Sequence, residues 1–221
     1  MDKIKSFFKG LFDIFLYFLL TILVYGIFNQ DISNTNNLLL SNLSTIVADL
    51  IILFMFIIIF RKTLIPDFND FKKNWKKYLK DNIQYWLIGL ALMLISNILI
   101  SFLVEMPTNE AINRDALFNT TIPSIISMVI IAPIIEELIT RKNFKDAFKN
   151  QYIYIFISGL VFGSLHLLVA ESLLECLYVI PYGVLGGAFA KIYYNTDNIW
   201  SNIFFHFLHN LIAILLIFTG V

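Results

Sequence analysis

The sequence predicts an all-α protein, a polytopic bundle of about seven transmembrane helices, and three observations carry that reading. Of its 221 residues 58% are hydrophobic, 22 of them phenylalanine, and the mean hydropathy is +0.77. A soluble fold of this length has too little core to hide so much apolar surface. Spacing is the second observation. A spanning helix needs roughly 20 apolar residues, and runs near that length occur at 10–28, 43–60, 84–104, 123–140, 152–169, 174–194 and 199–219. The third is the placement of charge. Lys3, Lys5 and Lys9 precede the first run, and Arg61, Lys62, Lys72, Lys73, Lys76, Lys77 and Lys80 fill the second connection. Arg141, Lys142, Lys145 and Lys149 follow the fourth run, and Lys191 ends the sixth. Of the 16 basic residues only Arg114 lies in another connection. Positive residues stay cytoplasmic, so the N-terminus is expected inside and, after seven spans, the C-terminus outside. An even number of spans would break the segregation.

The first run has a basic flank but no small-residue cleavage site, which marks a retained helix, not a signal peptide. Asp13 lies near its inner end and is expected to snorkel to the surface, while Asp49 in the second run has no evident role. Between the second and third runs, residues 61–81 mix lysines with Leu64, Phe68, Phe71, Trp75 and Tyr78. That pattern suits an amphipathic helix on the cytoplasmic surface, held by anionic membrane lipid, with docking of a partner as the other role. The connections at 29–42 and 105–122 are polar and read as solvated. Asn119-Thr120-Thr121 matches a glycosylation acceptor, which carries no weight in a bacterial chain. Two N-terminal spans and the basic loop (1–82) thus precede a core at 83–221 within a single structural domain. A net charge of zero argues against a nucleic-acid partner. Cys176 is alone, so no internal disulfide forms. The Ile, Asn, Lys and Phe bias points to an AT-rich genome and a bacterial plasma membrane.

Ionisable groups inside the apolar runs are costly and mark function. The fourth run closes on Glu136-Glu137-Leu138-Ile139-Thr140-Arg141. Neighbours on a helix point about 100° apart, so the two glutamates cannot share a face. Glu137 and Arg141, four apart in the favourable order, form an ion pair. Glu136 stays free to take a proton from water. In the fifth run Phe162-Gly163-Ser164-Leu165-His166 places a histidine beside two small residues that allow close helix approach. The sixth run holds Gly183-Val184-Leu185-Gly186-Gly187, another close-packing face. Pro181 is expected to kink it, and Tyr178 and Tyr182 to line a cavity. The seventh carries His206-Phe207-Leu208-His209-Asn210. His206 and Asn210 share a face and offer N–H donors to a developing oxyanion. His209 points about 100° away from Asn210, so it reads as structural or as an indirect support of the site.

Depth decides whether these groups meet. If the fourth helix runs on to Lys149, Glu136 lies about 20 Å from its inner end, against about 22 Å for His166 and about 16 Å for His206 from theirs. If it stops at Arg141, Glu136 is left near the surface. Convergence therefore requires the helix to continue past Arg141.

Together these motifs resemble the CPBP family, the CAAX proteases and bacteriocin-processing enzymes also called the Abi family. The family's motifs are two glutamates with an arginine four after the second (Glu136, Glu137, Arg141), a phenylalanine with a histidine four on (Phe162, His166), and a histidine with an asparagine four on (His206, Asn210). Ile131-Ala132-Pro133 and the glycine-rich sixth run are similar too, and the resemblance covers roughly residues 85–215. It implies an intramembrane endopeptidase. Glu136 and His166 would activate the attacking water, His206 and Asn210 would stabilise the oxyanion, and Glu137 and Arg141 would support the geometry. Members are often called metalloproteases, so Glu136, His166 and His206 are the candidate ligands should a divalent ion such as zinc bind. No His-Glu-x-x-His motif occurs, and a metal-free route leaves Glu136 free as the base. The expected substrate is a hydrophobic peptide or membrane-anchored protein, with the site opening to the cytoplasm. The rival class is a non-catalytic membrane protein of bacteriocin self-immunity or envelope regulation. A proton-coupled transporter would need polar residues spread through the membrane, whereas here they cluster at one depth.

Overall fold

The computed structural model describes residues 2–32, 38–119 and 121–219; Ser33 to Asn37 of the first polar connection and Thr120 of the glycosylation pattern lie outside the described residues. The described residues form helices and turns with no strand. In order they are α1 (Asp2–Ile32), α2 (Leu38–Ser101), α3 (Thr108–Asn119), α4 (Thr121–Ile126), a π-helical turn (Ser127–Ile131), α5 (Ala132–Thr140), α6 (Lys142–Ala147), α7 (Gln151–Leu165), a 3-10 turn (Leu174–Tyr178), α8 (Val179–Thr196) and α9 (Ile199–Thr219). Among the described residues five helical stretches are long and apolar enough to cross a membrane. One of them, Leu43–Ser101, contains two of the seven apolar runs, and the fifth run forms the shorter Gln151–Leu165. These two facts reconcile five long helices with seven runs.

Helix α2 would measure roughly 96 Å if straight, three times a bilayer core. Its contacts show that it turns back. Asp49 accepts a hydrogen bond from the Tyr25 hydroxyl (2.6 Å) and another from Ser127, near the middle of the bundle. Asp67 then accepts from the Ile199 N–H (2.9 Å), and the Leu64 carbonyl from the Trp200 indole (2.8 Å), at the start of α9. Asn82 meets Asn195 (3.0 Å), and Gly89 packs on Ala188 farther up α8. Residues 64–82 therefore lie across one end of the bundle, and Pro66, which lacks an N–H, is inside the helix at the start of this segment. This segment is amphipathic as the sequence predicts. Leu64 is buried and Asp67, Phe71 and Tyr78 are partly covered, while Lys72, Lys73, Lys76, Lys77 and Lys80 are exposed. The division between residues 82 and 83 falls within α2.

The other basic segments gather at the same end. Phe7 packs on Phe144 and Phe148 (ring centroids 6.1 and 5.8 Å), and Lys145 pairs with Asp197 (2.7 Å). Arg114 sits at the opposite end on α3, whose first N–H donates to Glu175 (2.9 Å). Asp13 does not snorkel: it is 4% exposed and accepts a hydrogen bond from the Asn143 carboxamide. Helix α6 brings that partner to it, which removes any need to reach water.

Helices α7 and α8 pack through glycine. A methyl on Gly159 would fall 2.5 Å from the Gly183 carbonyl, and one on Gly163 would fall 2.8 Å from that of Val179. Pro181 produces no kink. It is the third residue of α8, where its missing N–H would have no helical partner. Helix α7 stops at Leu165, four residues before the end of its apolar run, and His166 caps it. At 15 residues it spans only about 22 Å, less than the roughly 30 Å of a bilayer core.

Gly159→Ala is expected to lower the thermal midpoint of the detergent-solubilised protein, at a cost of about 1–3 kcal/mol for overpacking. Gly26→Ala is the control, because nothing lies within 4 Å of a methyl there, and it should leave the midpoint unchanged or raise it.

Candidate active site

At the centre of the bundle Glu137 and Arg141 are both 0% exposed. The guanidinium grips the carboxylate through Nε (2.5 Å) and Nη2 (3.1 Å). Its remaining Nη1 donates to the Ser158 hydroxyl (2.7 Å), which itself donates to the Thr140 carbonyl (2.8 Å). The carboxylate also accepts from the Asn202 carboxamide and from His206 Nδ1 (2.8 Å). Five hydrogen bonds thus compensate two charges removed from water, the condition under which a buried pair is tolerated. The sequence reading required the helix to pass Arg141, and it does so with a break. Arg141 leaves helical geometry (φ −110°, ψ −69°), and α6 resumes at Lys142. The Arg141 N–H still reaches the Glu137 carbonyl (3.2 Å) and its carbonyl the Lys145 N–H (2.9 Å).

Glu136 points away from this pair, as the 100° step between neighbours dictates. Its Oε2 lies 3.8 Å from His206 Nε2, and among the described residues that buried oxygen has no hydrogen-bond partner. It faces a cavity of about 350 Å³ that His166, His206, His209 and Asn210 also line. The predicted catalytic residues Glu136, His166, His206 and Asn210 therefore share one space, which Glu137 and Arg141 do not line. His209 is on the cavity wall and not merely in the packing, edge-on to Phe189 (6.2 Å).

The tautomers of both site histidines follow from their partners. His206 Nδ1 meets a carboxylate, and His166 Nδ1 meets the Phe162 carbonyl (2.9 Å). Neither partner can donate, so each Nδ1 carries hydrogen and each Nε2 is free to accept a proton. Rings fix the orientations. His206 stacks on Phe189 (4.7 Å) and His166 on Tyr182 (4.5 Å), with Phe162 against both imidazoles. Asn210 is held from the other side, donating to the Met128 carbonyl (2.7 Å). That carbonyl is available for a local reason. In the π-helical turn the Ala132 N–H goes to Ser127, and Pro133, next in line, has no N–H to give Met128.

Sequence reasoning missed Asn202, Ser158 and the role of Tyr182 as a stacking platform. Asn202 was within reach, since Asn202, His206 and Asn210 recur every four residues on one helical face. Ser158 and the π-helical turn leave no such pattern. Among the described residues no group of three or more His, Cys, Asp and Glu side chains is disposed to hold a metal ion. Glu136, His166 and His206 are thus not disposed as a three-ligand set in this geometry.

The cavity has different surroundings at its two ends. Toward the basic end lies the buried Asn202–Glu137–Arg141–Ser158 layer, and toward α3 the walls include Asn109, Glu110 and Asn113. A cytoplasmic opening is expected from the sequence. The polar lining residues Asn109, Glu110 and Asn113 lie at the end away from the basic segments.

Comparison with known proteins bears on this same stretch. Residues 118–212 match the family described as type II CAAX prenyl endopeptidase Rce1-like. All three sequence motifs fall inside the Rce1-like match, so the resemblance drawn from them is borne out. A protein of Mycoplasma capricolum subsp. capricolum, described as uncharacterized, is 28% identical over 88% of the chain. The chain spans 60% of that curated relative's length. No solved structure matches the chain.

Arg141→Met should be destabilising by about 3–5 kcal/mol, because it strands a buried carboxylate. Thermal unfolding in detergent checks this. The double variant Glu137→Gln/Arg141→Met should recover much of the loss, since the orphaned charge goes with its partner.

Proposed function

We propose that the chain is an intramembrane endopeptidase that hydrolyses a peptide bond in a hydrophobic or membrane-associated peptide. One observation carries the reading: a glutamate whose buried Oε2 has no hydrogen-bond partner among the described residues faces a cavity, 3.8 Å from an imidazole whose far nitrogen is held by a buried ion pair. Glu137, by contrast, has both oxygens held, by Arg141, Asn202 and His206. The Rce1-like match over residues 118–212 supports the same class of activity.

In this mechanism a water enters the cavity between Glu136 and the Nε2 atoms of the two histidines. Glu136 takes one proton as the water oxygen bonds to the scissile carbonyl carbon, with His166 Nε2 accepting a hydrogen bond from the same water. The carbonyl π-electrons move to oxygen. A protonated His206 presents its Nε2–H to that oxyanion, and Glu137 balances the imidazolium from the Nδ1 side. Asn210 spends one N–H on Met128 and has a second to offer. Collapse of the tetrahedral intermediate breaks the C–N bond, and Glu136 returns its proton to the leaving amine. Tyr182 and Phe162 keep the rings in register for these transfers.

We infer a bacterial plasma membrane, with the N-terminus of the chain on the cytoplasmic side. The gathering of α1's start, residues 64–82, 142–149 and 191–198 at one end supports that orientation.

Glu136→Gln should leave folding intact and lower peptide cleavage by roughly 10²-fold or more, the usual worth of a general base. Terminus-resolved mass spectrometry of membrane and secreted peptides, with wild type and variant expressed equally, reads this. Peptide termini that vanish only in the variant establish proteolysis. Matching profiles with an immunity or envelope phenotype that survives the substitution would sink the catalytic reading in favour of a binding role.

A further inference from the structure

We propose that a second, apolar groove on the outside of the bundle binds one acyl chain of an anionic phospholipid, with the phosphate against Lys191. The lipid belongs to the leaflet on the side of the basic segments, which the charge rule places at the cytoplasm. None of the residues lining this groove lines the cavity that holds Glu136, and the site does not rest on the endopeptidase reading.

Small residues open the groove. Helix α8 forms its floor, with α7 on one flank and the returning arm of α2 on the other. A methyl on Gly159 would fall 2.5 Å from the Gly183 carbonyl, and one on Gly89 would fall 2.4 Å from the Ala188 side chain, so both flanks sit tightly on α8. The floor residues Gly183, Gly187 and Ala188 carry little or no side chain, while Ile88, Leu92, Phe156 and Leu160 stand exposed on the flanks. The resulting channel holds about 650 Å³. Any apolar surface of a membrane protein meets lipid, so this shape alone does not make a site.

Lys191 does. Among the described residues it is the one charged group in the lining. It is half-buried, and its ammonium lies over the rings of Tyr85 (5.2 Å) and Tyr194 (5.8 Å). Among the described residues it has no ion-pair partner, whereas Lys145 at the same end pairs with Asp197. Ring faces attract a cation without cancelling its charge. Basic pockets between helices at the cytoplasmic surface take anionic headgroups, and Lys191 has that position and that unmet charge. Length agrees. From Lys191 to Ile180 the groove follows α8 for about 16 Å, close to one leaflet of a roughly 30 Å hydrocarbon core. Tyr85 and Tyr152 stand at the Lys191 end, where aromatic residues meet the membrane surface.

Phosphatidylglycerol with a photoactivatable diazirine near the end of one chain is the probe, added to the delipidated full chain in detergent. Irradiation and peptide mass spectrometry should place adducts on segments 88–92, 156–160 and 180–184, in excess over exposed α1 residues such as Phe12 and Phe15. Unlabelled phosphatidylglycerol should displace the probe at lower concentration than phosphatidylcholine of the same chains. In native mass spectrometry Lys191→Gln should bind phosphatidylglycerol about fivefold more weakly, the effect of one basic residue at an anionic surface. Lys76→Gln, at an exposed lysine of the same end, should bind it as wild type does. Adducts spread evenly over α1 and the groove, equal displacement by the two lipids, or undiminished binding by Lys191→Gln would overturn the proposal. So would a second copy of the chain, or another helix, that cross-links across the groove and excludes the probe. Should Lys191→Gln not accumulate, the adduct map and the lipid competition decide with wild type alone.

Discussion

A carboxylate and a guanidinium with no exposure to solvent meet at the centre of this bundle, and the other site groups are arranged around them. Desolvating two charges is costly, so Glu137 and Arg141 are stable only because Ser158, Asn202 and His206 complete their hydrogen bonds. Those partners come from α7 and α9, which ties the packing of three segments to one ion pair. The same bonds aim the site. His206 turns its Nε2 toward Glu136 because its Nδ1 is committed to Glu137. Glu136 is left facing the cavity because its neighbour takes the inward direction on the helix.

Much of this was legible in the sequence where helical geometry alone decides. The 100° step separates Glu136 from Glu137, the four-residue spacing joins Glu137 to Arg141, and both arrangements are present. The glycines of the fifth and sixth apolar runs meet as their spacing predicts. Less legible were features set by tertiary neighbours or by departures from regular helix. Asp13 is buried because Asn143 lies opposite it, 130 residues away. The π-helical turn that frees the Met128 carbonyl for Asn210 has no periodic signature. Pro181 was misplaced for a simpler reason. The apolar run begins before the helix does, so a proline that looks internal to the run is in the first turn of α8.

Helix α7 shows how a short element serves the site. Its close glycine contacts with α8 and its early stop leave His166 at the helix end, where Tyr182 stacks on it. A full-length span would have carried that histidine within a continuous helix, with its Nδ1 still bonded to the preceding turn but its ring set by the helix surface. The amphipathic bend of α2 plays a complementary part at the other end. It covers the start of α9 through Asp67 and Leu64, so the helix that carries His206 and Asn210 is anchored at its base.

The central claim is that Glu136 directs a water at a peptide bond, and the origin of the new carboxylate oxygen tests it most directly. Purified wild-type protein would be incubated in ¹⁸O-labelled water with the membrane peptides that accumulate uncleaved in Glu136→Gln cells. The account predicts cleaved peptides whose new C-terminal carboxylate carries one solvent oxygen. Absence of cleavage by the correctly folded protein, or a product without solvent oxygen, would contradict it.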